Sequence, residues 1–139
     1  MNGTKMSSAA AKKPRPKYLS LTALLFEIRL PVTAWASGLH RISGALLVLP
    51  FTAWVLYLLD TALSSEQGYR HVQEYLSMPI AKLGLMIFVW AFAHHLFTGI
   101  RFLLLDLNKG VEIHRARASS YVCIVLGIAT ALAFAWRIW

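Results

Sequence analysis

The chain of 139 residues has one cysteine and six acidic residues, and these scarcities exclude several chemistries. A lone Cys123 can form no internal disulfide and cannot ligate an iron–sulfur cluster. Inside an apolar run it reads as a small packing residue. No G-x-G-x-x-G fingerprint is present, so nothing marks a dinucleotide-binding domain. No soluble stretch is long enough to form a basic domain, which removes nucleic acid as a partner despite the net charge of +8. The segment from Met1 to Lys17 is basic and free of acids but lacks the apolar centre of a secretory signal. It reads as a disordered cytoplasmic tail. There is no internal repeat and no low-complexity tract.

What the chain does have is apolar residues, at 58% of the sequence and a mean hydropathy of +0.56. Three runs carry them: about Ile42 to Leu59, Leu83 to Leu105, and Tyr121 to Trp139. A bilayer core of about 30 Å needs roughly 20 helical residues, close to the length of each run. Backbone groups in lipid are satisfied only in helices or closed barrels, and the runs lack strand alternation. The expected fold is an all-α integral membrane protein. Residues 1–30 form a cytoplasmic tail and interfacial segment, in which Leu21, Leu24, Leu25 and Ile28 have helical spacing. Residues 31–139 form a transmembrane domain with helices at about 31–63, 80–107 and 119–139. Pro31 suits a first helical turn, Pro50 predicts a kink, and Gly110 a helix stop. The stretch "SSEQGYRHVQEYLSMP" reads as an outer loop with an amphipathic turn.

Charge sets the orientation. Lys5, Lys12, Lys13, Arg15, Lys17, Arg29 and Arg41 precede or open the first run, and Lys109, Arg115 and Arg117 follow the second. The intervening loop holds Asp60, Glu66, Arg70 and Glu74. Positive residues mark the cytoplasmic side, so the N-terminus is expected inside and the C-terminus outside, where Trp136 and Trp139 suit an aromatic belt. The surplus of positive charge then serves topology and contact with anionic lipid.

Ionisable groups within a span cost several kcal/mol unless they are satisfied. The second run carries His94, His95 and Arg101. Successive helical residues point about 100° apart, so the two histidines face different neighbours. His95, Thr98, Gly99, Phe102 and Asp106 share one stripe. Gly99 lets a flat cofactor or another helix approach. Imidazole is a good iron ligand, and from spacing alone a haem ligand and an interhelical hydrogen-bonding histidine stand level. His94 has no such stripe and reads as structural. A second cluster, "SGLHRISG", sets Ser37, Arg41 and Gly44 on one face with His40 beside them, offering a hydroxyl, an imidazole and a permanent cation at the membrane boundary. The plain alternative is an arginine that anchors to headgroups. Along the second helix His95 lies about 16 Å deeper than Asp106, with Arg101 between them. Arg101, His40 and Arg41 therefore lie at a depth to meet the propionates of a haem ligated at His95.

These clusters resemble the signatures of the cytochrome b membrane-anchor subunits of succinate dehydrogenase (respiratory complex II). That family's first pattern, an early Arg-Pro followed by S-x-x-H-R-x-[ST]-G, appears as Arg15-Pro16 and "SGLHRISG". Its second, H-x-x-x-G-I-R-[HF]-x-x-x-D, appears as "HLFTGIRFLLLD" from His95 to Asp106. The match covers nearly the whole chain.

The resemblance implies that the three helices form half of a bundle completed by a second anchor subunit. It makes His95 an axial ligand of haem b shared with that subunit. Ser37 and Arg41 match ubiquinone-binding positions, and His40 and Arg41 match positions near the haem propionates. Many members carry histidine where this chain has Phe102. Also implied are an iron–sulfur subunit and a flavoprotein that oxidises succinate, with this chain itself non-catalytic. Electrons from succinate would reach ubiquinone beside Ser37 and Arg41. The short tail before Arg15 favours a bacterial cytoplasmic membrane over the mitochondrial inner membrane. Two rivals are a haem-free structural anchor, as in fumarate reductase relatives, and a small proton or anion transporter subunit. The second leaves "SGLHRISG" unexplained.

Overall fold

The computed structural model describes Thr22 and residues 29–139. The chain divides into two units, Met1–Leu30 and Pro31–Trp139. The expected interfacial helix and the Arg15-Pro16 pair lie outside the described residues.

The second unit is helical throughout, with no strand among the described residues. Its elements are α1 (Val32–Leu46), a π-helical turn (Leu47–Phe51), α2 (Thr52–Ser64), α3 (Glu66–Ser77), α4 (Pro79–Asp106) and α5 (Ile113–Ile138). Three continuous rods are long and apolar enough to cross a membrane: Val32–Ser64, Pro79–Asp106 and Ile113–Ile138. At 1.5 Å per residue even the shortest, of 26 residues, measures about 39 Å, so its ends pass through the roughly 30 Å hydrocarbon layer into the headgroup region.

Local chemistry explains the breaks. Pro31 sits just before α1 in extended conformation, and its carbonyl accepts from Ala34 N (2.9 Å) and Trp35 N (3.3 Å). Pro50 has no N–H to give, and the rod answers by widening into the π turn. The Leu47 carbonyl there accepts from both Thr52 N and Thr52 Oγ1, the latter at 2.8 Å. Ser65 is extended and caps α3, its Oγ accepting from Gly68 N at 3.0 Å. α3 is a full amphipathic helix where the sequence suggested a turn, and it folds back on α2, with Trp54 Nε1 donating to Tyr75 Oη at 3.3 Å. Pro79 opens α4. Asn108 and Gly110 take positive φ to end it. α5 begins at Ile113, not near 119. Hydropathy marks only the lipid-embedded part of a helix, and its first turns are the polar "IHRARASS".

Packing runs opposite to that of a soluble protein. The buried positions are small or polar: Ala36, Ser43, Ala81, Ala91, Ala93, Thr98, Ser120 and Cys123. Large side chains such as Leu49, Leu63, Ile80 and Trp136 point outward. With lipid outside, small residues let the rods approach closely. A Cβ added at Gly127 would lie 3.0 Å from His94 Cβ and 3.2 Å from its Cα. That contact seats α5 directly on α4. At the other end of α4, Lys82 Nζ lies 5.7 Å from the Trp139 ring, a cation–π contact that ties the C-terminus to the start of that helix.

Candidate functional site

α1 and α4 meet at a compact polar group in the apolar interior. His95 Nδ1 lies 3.1 Å from the His40 carbonyl oxygen and 3.4 Å from Ser43 Oγ. The Ser43 hydroxyl donates its own hydrogen to the same carbonyl at 2.9 Å. A carbonyl can only accept, so this contact is a hydrogen bond in the tautomer whose ring hydrogen is on His95 Nδ1. The lone pair is then on Nε2, the atom a metal would use. Among the described residues no hydrogen bond engages Nε2.

Space for this ring comes from a missing side chain. A Cβ on Gly44 would stand 2.8 Å from His95 Cε1 and 3.2 Å from Nδ1. The glycine of "SGLHRISG" is therefore a notch cut for the imidazole of the facing helix. Gly99 does the reciprocal service, since its absent Cβ would lie 3.6 Å from His40 Nε2. His40 stacks on His95 with ring centroids 4.1 Å apart and planes 9° from parallel, and it meets Phe102 edge-on at 5.2 Å. His40 Nε2 is buried without a well-aligned hydrogen-bond partner, a costly state that an anionic acceptor beside it would relieve.

The remaining candidates separate into two groups. Ser37 and Arg41 occupy one face of α1 a turn apart, the first half-buried and the second exposed. Neither side chain is hydrogen-bonded among the described residues. Arg101 does not join the His40–His95 group. It is buried and turned to α5, with Nε donating to Ser119 Oγ at 2.9 Å and Nη2 to the Ala116 carbonyl at 3.2 Å. Phe102 stands between the two regions, 5.4 Å from the Arg101 guanidinium carbon.

His94 faces the other way and is fully buried under α5. It stacks on Trp90 (5.7 Å, 13°) and sets Nε2 3.5 Å from Thr98 Oγ1. Backbone blocks it at Gly127, so no ligand can reach it from that side.

Among the described residues no three His, Cys, Asp or Glu side chains cluster to hold a metal ion. A metal here would need its other ligands from a macrocycle or a second chain. The His95 Nε2 without a hydrogen bond and the unpartnered buried His40 Nε2 beside it suit an iron ligand and a contact to a haem's anionic edge. Sequence reasoning found His40, Gly44 and His95 but not Ser43, whose position three residues after His40 in the motif was the available signal.

Comparison with known proteins fits this geometry. Residues 12–134 match the family model described as succinate dehydrogenase/fumarate reductase transmembrane subunit. A curated relative, the succinate dehydrogenase cytochrome b556 subunit of Coxiella burnetii (strain RSA 493 / Nine Mile phase I), is 37% identical over 127 residues, covering 90% of this chain and 97% of the relative.

Proposed function

Given that the chain belongs to the succinate dehydrogenase/fumarate reductase transmembrane-subunit family, we propose that it binds haem b through His95 and contributes to a ubiquinone-reduction site. The name of the Coxiella relative, a cytochrome b556 subunit, supports the haem. The observation that carries the reading is the 3.1 Å contact of His95 Nδ1 with the His40 carbonyl, which favours the tautomer with its lone pair on Nε2, the atom that would ligate. When bound, haem b supplies a one-electron redox centre inside the bilayer.

This chain's residues have distinct parts to play. The His40 carbonyl and Ser43 hold the His95 ring in one tautomer and orientation, which raises its strength as a ligand. His40 Nε2 and the Arg41 guanidinium are donors for the propionates. Arg101, committed to α5, contributes positive charge behind Phe102 and no contact. Ser37 donates to a quinone carbonyl. Arg41 opposes the negative charge that develops on the quinone oxygen during reduction, as a preplaced cation in a low-dielectric site.

The partners are a second anchor subunit that would supply a further ligand to the haem iron, an iron–sulfur subunit that delivers electrons and a flavoprotein that oxidises succinate. The site of action is the bacterial cytoplasmic membrane, with the N-terminus inside.

Two measurements test this. The purified complex should show the visible absorption of reduced b-type haem, and its absence would favour a haem-free anchor. Arg41→Ala should lower succinate-driven ubiquinone reduction about 100-fold, the scale of losing one charge-stabilising donor, while succinate oxidation with a soluble artificial acceptor is retained. Equal loss of both activities would remove the quinone role.

A further inference from the structure

On the side of α4 remote from α1, a groove of about 480 Å³ runs between α4 and α5. Its walls are apolar, with Phe97, Leu104 and Val122 among them, and one end is lined by Lys109 and Gly110 of the loop joining the two helices. Three cations line it: Arg101, Lys109 and Arg115. Arg101 is only 6% exposed, and no carboxylate lies within salt-bridge distance of it or of Lys109 among the described residues. Arg115 pairs through Nε with Glu112 at 3.3 Å. The lining thus holds three cations and no carboxylate. Among the described residues the Arg101 guanidinium, hydrogen-bonded only to the Ser119 hydroxyl and the Ala116 carbonyl, is a buried charge without a counter-charge in a membrane span.

The dimensions point to the occupant. From Arg115 to Leu126, both lining residues, α5 rises about 16 Å, the thickness of one leaflet of a roughly 30 Å hydrocarbon core. A cationic end at the headgroup level above an apolar trough one leaflet deep is complementary to a single molecule class. We infer that this groove binds an anionic phospholipid, its phosphodiester held by Lys109 and Arg115 with Arg101 beneath, and an acyl chain lying along Phe97, Leu104 and Val122. Basic pockets between membrane helices recognise anionic headgroups in this way. The site lies across α4 from the haem and quinone residues and does not depend on their assignment.

The test uses the intact complex in phosphatidylcholine vesicles with trace spin-labelled lipid. Spin-labelled phosphatidylglycerol should be immobilised by the complex in preference to spin-labelled phosphatidylcholine. Arg115→Gln should reduce that preference about fivefold and the Lys109→Gln/Arg115→Gln pair roughly thirtyfold, from the usual contribution of each surface cation. Arg117→Gln removes the same charge from the same end of α5 but from outside the groove, and should leave the preference intact. Equal immobilisation of both lipids would overturn the site. So would an Arg117→Gln effect as large as that of Arg115→Gln, which would mean a diffuse basic surface. Displacement of the lipid by inorganic phosphate would show a soluble-anion site, and an unchanged preference in the paired variant would overturn the proposal, because the lipid would then be held elsewhere on the complex.

Discussion

His94 and His95 are adjacent, identical in chemistry and close in depth, yet the helix turns them about 100° apart into unlike surroundings. His94 meets the backbone of α5, where Gly127 leaves a gap only as wide as its own Cα and Cβ. His95 meets the backbone of α1, where Gly44 leaves a gap for the ring and a carbonyl fixes its hydrogen. The first glycine closes an interface and the second opens a site. Under the proposed function, the direction of the lone pair and the space around the ring single out His95, whereas burial alone would have pointed to His94.

Substitutions can break this contrast in graded steps. His95→Leu should abolish the haem absorption of the assembled complex while the subunits still copurify, and a retained band would place the ligand elsewhere. Gly44→Ala puts a methyl 2.8 Å from His95 Cε1, so the ring must move. Haem occupancy should fall about tenfold or more, the scale of disturbing a ligand's supporting contacts, while Gly38→Ala, which meets open space in this chain, should leave it unchanged. Gly127→Ala should cost about 1–3 kcal/mol by overpacking, read as a lowered thermal midpoint, with the haem spectrum of whatever remains folded unaltered. The smallest effect belongs to His94→Leu. Replacing a buried ring whose Nδ1 lacks a well-aligned partner by an apolar side chain should change stability by less than about 1 kcal/mol and spare the spectrum.

The three spans were legible because lipid demands long uninterrupted apolar helices, a signal hydropathy reads directly. Their polar extensions were not, which is why α5 starts earlier than its apolar run and α3 was read only as a turn. Of the site, the stripe through His95 and Gly99 was visible as helical spacing. That Gly99 receives His40, and that Ser43 and the His40 carbonyl fix the tautomer, needed the register of α1 against α4, which no single-helix period contains. Arg101 shows the converse. Its depth along α4 was read from sequence, but its rotation toward Ser119 was set by α5. The α4–α5 groove was invisible for the same reason, being shared by residues on two helices.

Chemical rescue examines the ligand most directly. His95→Gly removes the imidazole from the assembled complex and leaves a hole that free imidazole can enter. The reduced-haem absorption should disappear in this variant and return when imidazole is added. A band that persists without imidazole, or that never returns in a complex shown to be intact, would contradict ligation by His95.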